Sequence, residues 1–148
     1  VIPGPPAVAS PGSLASAPPV VITALTLRGT PYRNGGSHPD EGFDCSGFVQ
    51  WVFAQHGTRL PREVRQQFDE GQSIDPGAVK AGDLVFFHTV SRGASHVGIA
   101  IGGDEFVHAP SERGVVRIER LSTPYWSKRW IGAKRIVSAS TTTDRLAD

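Results

Sequence analysis

A single cysteine, Cys45, stands in the stretch GFDCSGFVQW, after an aspartate and before a Ser-Gly pair. A lone cysteine is most often a small buried hydrophobe. Three local features argue for a nucleophile instead. The position falls in the first turn of an expected helix, where unpaired N–H groups and the positive end of the helix dipole favour thiolate. Ser46 and Gly47 leave little bulk around the sulfur, which suits access better than core packing. Asp44 and Ser46 supply hydrogen bonds rather than apolar walls. The charge of Asp44 opposes thiolate formation, so a cationic partner is needed.

Histidine is the usual partner of such a thiol, and five are present: His38, His56, His88, His96 and His108. His56, beside Gly57 at a helix end, reads as a solvated cap. His38 in a turn and His88 at a strand end read as exposed. His96 and His108 are each embedded in an expected strand. In HVGIAI, Val97, Ile99 and Ile101 alternate with His96, Gly98 and Ala100, so one face is apolar and the other is cleared, with room for a substrate. If Gly102–Asp104 forms a three-residue loop, Ile101 pairs with Glu105 and Gly98 lies opposite His108. The two imidazoles then become diagonal neighbours on one face, roughly 7 to 8 Å apart at the backbone and within side-chain reach. A two-residue loop would place them on opposite faces, so the three-residue loop is expected. Cys45, His96 and His108 then read as nucleophile, base and orienter. His96 takes or holds the thiol proton as imidazolium, and His108 fixes its tautomer through the far ring nitrogen.

These residues need elements to hold them. A short helix is expected over Val21 to Gly29. Phe48, Val49, Val52 and Phe53 form one apolar stripe, and with Asp44 as N-cap and Gly57 as stop they predict a helix over Cys45 to His56. A more polar helix is expected over Arg62 to Glu70. AGDLVFFH, SHVGIAIG, EFVHA and GVVRIERL are short apolar runs between Gly-rich turns and read as antiparallel strands. YWSKRW reads as an irregular turn before a last strand, GAKRIV. Helices followed by a strand meander give an α+β fold, with N-terminal helices packed on an antiparallel sheet of about five to six strands.

Residues 1–20 are rich in Pro, Ala, Ser and Gly and carry no charge, as a linker or tether does. Residues 21–137 are expected to form one domain, and residues 138–148 a fraying polar tail. The chain starts at Val1 and contains no Met, and reads as a processed or trimmed piece of a longer product. Lys plus Arg total 15 and Asp plus Glu total 14. That balance lacks the concentrated basic surface of a nucleic-acid binder. No run approaches the roughly 18 to 20 apolar residues of a membrane span.

The motifs PYRNGG, GFDCSGFVQWVF, LPR, AGDLVFFH, SHVGIAIGGDEFVHA and the later YW resemble, in order and spacing, the NlpC/p60 family of bacterial cell-wall peptidases. This is a circularly permuted branch of papain-like enzymes. The likeness runs from about Leu25 to about Val137, nearly the whole domain. It implies that Cys45 is the nucleophile, His96 the base and His108 the third polar residue. It also implies that the Tyr32 hydroxyl helps the Cys45 N–H hold an oxyanion, and that Asp44 and Ser46 line the substrate cleft. The implied reaction is hydrolysis of an amide in a peptidoglycan stem peptide or cross-link, through a thioester acyl-enzyme. The bond is γ-D-glutamyl–diaminopimelate or a diaminopimelate cross-link. The expected form is an extracytoplasmic monomer, in periplasm or wall, without cofactor or metal and with a tether at its N-terminus.

Two rival readings stand beside it. A metal site could be built from His88, His96 and His108 with Asp83 or Asp104, but it leaves Cys45 unexplained. A catalytically silent peptidoglycan- or partner-binding module on the same fold would leave Cys45 inert. An acyltransferase or amidase would share the same acyl-enzyme.

Overall fold

The structure, a computed structural model, describes residues 17–111 and 114–136. Most of the expected tether and the whole of the expected tail lie outside the described residues.

The first helix among the described residues, α1 (Pro19–Thr26), begins two residues earlier than its apolar run suggests and ends before Gly29. Proline at the first helical position lacks only an N–H that has no partner there anyway. A two-stranded ribbon follows, β1 (Ser37–His38) and β2 (Gly42–Phe43). It leads directly into α2 (Cys45–Ala54), where the Asp44 carboxylate accepts from the Gly47 N–H. The expected N-cap is therefore present, and Gly57 at φ 81° carries the chain out of the helical region. The next helix, α3 (Val64–Phe68), is shorter than the predicted Arg62–Glu70 span. Its buried Gln67 donates to the Ser46 and Pro61 carbonyls.

The remaining elements are β3 (Gln72–Ile74), a 3₁₀ turn (Pro76–Ala78), β4 (Leu84–Phe87), β5 (His96–Gly102), β6 (Glu105–His108), β7 (Arg117–Arg120), the single-turn α4 (Pro124–Ser127) and β8 (Trp130–Arg135). They form one six-stranded sheet in the order β3-β8-β4-β5-β6-β7, with neighbours antiparallel. Strands β4 to β7 are the expected meander. The last strand departs from it: β8 returns to the free edge of β4, and β3 closes the outside of β8.

Every residue of β4 is buried, because LVFF is apolar on both faces of the sheet. Leu84 and Phe86 join Val97, Ile99 and Val107 under the helices, against Val21, Phe48, Val49 and Val52. Val85 and Phe87 point to the other face, into a second cluster with Ala100, Phe106, Trp126 and Ala133.

The β5–β6 hairpin differs from the expected one in its loop but not in its body. Gly102 pairs with Glu105, so the loop is two residues long. A bulge at Ile101 absorbs one residue, and Ala100 then pairs with Phe106 and Ile99 with Val107. The bulge restores the parity that a three-residue loop would have given. His96 and His108 therefore share a face, through a device the loop-length argument did not contain.

Candidate active site

Cys45 opens α2, and β5 lies against that helix end. The backbone N–H groups of Val97, Ser46 and Cys45 itself stabilise the sulfur as thiolate, yet burial outweighs them and pushes the thiol up to about 11. The negative Asp44 adds to the rise. Desolvation of the sulfur opposes the dipole and is the larger effect.

His96 opens β5. It is buried at 4% exposure, stacked on the Trp126 indole with ring centroids 5.2 Å apart. Its Nε2 lies 2.8 Å from Nδ1 of the fully buried His108. Burial pulls His96 down to about 3, and the neighbouring His108 reinforces the shift. Burial also lowers His108, although Glu119 opposes this. Both shifts favour a neutral thiol and a neutral imidazole over the thiolate and imidazolium expected from sequence.

A cleft of about 570 Å³ is lined by Tyr32, Cys45 and His96 together with Thr89, Ser95, Tyr125 and Trp126. Val90 at 88% exposure stands at its edge. The cleft thus brings together Tyr32, Cys45 and His96, with His108 directly behind His96. Asp44 and Ser46 are placed elsewhere. The Asp44 carboxylate accepts from the N–H groups of Gly35 and Gly47 and from Arg62. Ser46 is buried, with its hydroxyl accepting from Arg62 Nη1. Gly47 is small for packing rather than for access to the sulfur, because a Cβ there would run into the Gly36 carbonyl oxygen.

The small residues beside His96 do not clear room for substrate either. A Cβ on Gly98 would lie 2.8 Å from the Phe106 ring and 3.1 Å from Cβ of His108. Their face is filled by Phe106 and Trp126, which wall in the two histidines. Two residues that the sequence reading left out of the site belong to it. Glu119 has Oε2 2.9 Å from Nε2 of His108, and Trp126 donates its indole N–H to Oε1 of Glu119 at 2.9 Å. Glu119 pairs directly opposite Phe106, two residues from His108 on the same face. The diagonal argument reaches it only once the β6–β7 register is known.

The other histidines stand apart. His38 is exposed and its Nδ1 accepts from the Asp40 N–H; His88 is exposed too. His56 is half-buried with Nε2 2.6 Å from the Thr23 hydroxyl, rather than a solvated cap. The proposed metal set is not assembled. His96 and His108 bond each other, Asp83 bonds Arg135, and Asp104 bonds Ser122 and Arg120. A larger hollow of about 670 Å³ between α1 and the β8 end shares no residue with the cleft.

This chain is similar to known proteins in sequence and in fold. It is 46% identical over 114 residues to the Escherichia coli K12 murein DD-endopeptidase MepS/murein LD-carboxypeptidase, covering 76% of this chain and 59% of that protein. It is 39% identical over 119 residues to the Bacillus subtilis bifunctional muramidase/DL-endopeptidase CwlT, covering 79% and 36%. The chain thus spans about three fifths or less of the length of these curated relatives. Among solved structures, the NlpC/p60 domain of the peptidoglycan hydrolase SagA superposes with a TM-score of 0.71 at 34% identity, over 80% of this chain and 97% of that one. A Bacillus cereus NlpC/P60 family protein gives 0.74 at 34% identity, over 79% and 39%. The NlpC/P60 family profile matches residues 29–135. With the fold, the cleft and these likenesses in agreement, the chain belongs to the NlpC/P60 family.

Proposed function

We propose that this domain is a cysteine endopeptidase that hydrolyses amide bonds of peptidoglycan stem peptides or cross-links. The observation that carries the reading is a cleft lined by both Cys45 and His96, with the buried His108 hydrogen-bonded to His96 behind it. The names of the relatives, which are murein and peptidoglycan hydrolases, support the substrate class.

The chemistry follows from the protonation states. His96 is neutral at working pH, because its pKa is held near 3, so it has a lone pair to offer. The thiol of Cys45 attacks the amide carbonyl as His96 takes its proton, forming a C–S bond and a tetrahedral oxyanion. The Cys45 backbone N–H, at the open end of α2, and the Tyr32 hydroxyl stabilise that oxyanion in this reading. Collapse breaks the C–N bond, and His96 returns the proton to the leaving amine. Water, deprotonated by His96, then cleaves the thioester and restores the thiol. The partners of Asp44 and Ser46 support a positioning role for both, through Arg62 and the α2 N-terminus.

The cleaved bond in this reading is γ-D-glutamyl–diaminopimelate or a diaminopimelate cross-link, and the place of action is outside the cytoplasm. Soluble fragment release from purified sacculi tests the reading. Release that iodoacetamide stops and a chelator does not is the expected result. Binding to sacculi with no release would favour the silent module instead.

A further inference from the structure

The hydrogen-bond chain behind Cys45 does not stop at His108. Nε2 of His108 lies 2.9 Å from Oε2 of Glu119, with the imidazole side chain fully buried and the carboxylate 23% exposed. The second oxygen, Oε1, accepts the Trp126 indole N–H, and Arg117 Nε donates to Oε2 at 3.0 Å. The His108 hydrogen bond, first among these, pulls Glu119 down to about 2, so the carboxylate is ionised. An ionised carboxylate only accepts. His108 must therefore carry its proton on Nε2, which leaves its Nδ1 bare. That bare Nδ1 faces Nε2 of His96 at 2.8 Å, so His96 must donate from Nε2. Only Nδ1 of His96 is then left with a lone pair.

We propose that Glu119 sets the tautomers of both histidines and thereby makes Nδ1 of His96 the base that serves Cys45. Glu119 is a positioning residue that works through His108. The proposal rests on the peptidase reading for its consequence in catalysis, but not for the proton arrangement itself.

The surroundings say what an amide would do in its place. In Glu119→Gln, the side chain must meet both the Trp126 N–H and His108. Trp126 is buried at 6% exposure, so its N–H is costly to leave without an acceptor, whereas the Arg117 side chain is 51% exposed and can swing to solvent. The amide oxygen therefore turns to Trp126, and the amide NH₂ faces His108. His108 then accepts at Nε2 and donates from Nδ1, His96 accepts at Nε2, and the proton ends on Nδ1 of His96. The base is blocked with only the exposed Arg117 contact given up.

The test is long-range proton–nitrogen NMR of ¹⁵N-histidine-labelled protein at neutral pH, with muropeptide kinetics alongside. The expected wild-type spectrum has both His96 and His108 protonated on Nε2. In Glu119→Gln both protons move to Nδ1, and kcat falls on the order of 100-fold with KM little changed. A wild-type His96 protonated on Nδ1 overturns the proposal with no variant needed. So does a folded Glu119→Gln protein with wild-type tautomers or wild-type kcat. If the wild type cleaves no muropeptide while its tautomers are as stated, the peptidase reading falls and the proton arrangement stands.

Discussion

Nη2 of Arg62 lies 2.9 Å from Oδ2 of Asp44, the residue directly before Cys45. Its Nη1 donates to the hydroxyl of Ser46, directly after, and Nη2 also reaches the Gly36 carbonyl. One guanidinium thus clamps both flanks of the cysteine and the ribbon beside it. The Asp44 hydrogen bond, with its charge, raises the pKa of Arg62, so the clamp stays cationic.

Arg62→Ala leaves the Asp44 carboxylate beside the thiol without its counter-charge. We expect a loss of about 2 kcal/mol in stability, as for a hydrogen-bonded charge deprived of its partner. Iodoacetamide should also react more slowly with Cys45 at pH 8 than in the wild type. Unfolding in urea and timed alkylation measure the two effects. Unchanged values in both would remove the clamp from the account.

Because burial holds the Cys45 thiol near 11, the free protein carries little thiolate at neutral pH. The alkylation rate should climb about tenfold per unit between pH 7 and 9, tracking the thiolate fraction. A plateau below pH 8 would mean a preformed thiolate and imidazolium pair.

The buried histidines make the fold sensitive to acid. The unfolded chain protonates His96 near 6.5, while the folded site refuses the proton until about 3. Between those values the unfolded state binds more protons, so stability is full above about pH 6.5 and is lost as pH falls toward 3. His108, shifted in the same direction, adds to the loss. Thermal unfolding should show Tm falling through this window, with a flatter profile in a His96→Asn, His108→Asn double variant. Parallel profiles would contradict the assignment.

Gly98→Ala places a methyl 2.8 Å from the Phe106 ring and close to Cβ of His108. Overpacking of this kind costs about 1–3 kcal/mol. The strain should also weaken activity, since the displaced groups carry His96. An unchanged Tm would show that Phe106 yields freely.

The positions of Cys45, His96 and His108 were legible because each sits in a short element with a clear period: an N-capped apolar stripe in α2, and alternation in β5 and β6. Their pairing was right in parity but not in cause, because a bulge at Ile101 has the same effect on facing as a longer loop. Glu119 was not legible. Eight residues, 109–116, separate β6 from β7, so no short-loop rule fixes which β7 residue faces His108. The cleared face was misread because Gly98 and Ala100 are small for Phe106 and Trp126, partners that only the folded sheet brings across. The return of β8 to β4 is a choice between two free edges, and local patterning does not decide it.

Mass spectrometry of purified muropeptides incubated with wild type and with Cys45→Ala tests the central claim most directly. The account predicts new fragments with the wild type alone, whose masses identify the bond. Equal fragments from both proteins, or none from a folded wild type, would contradict Cys45 as the nucleophile.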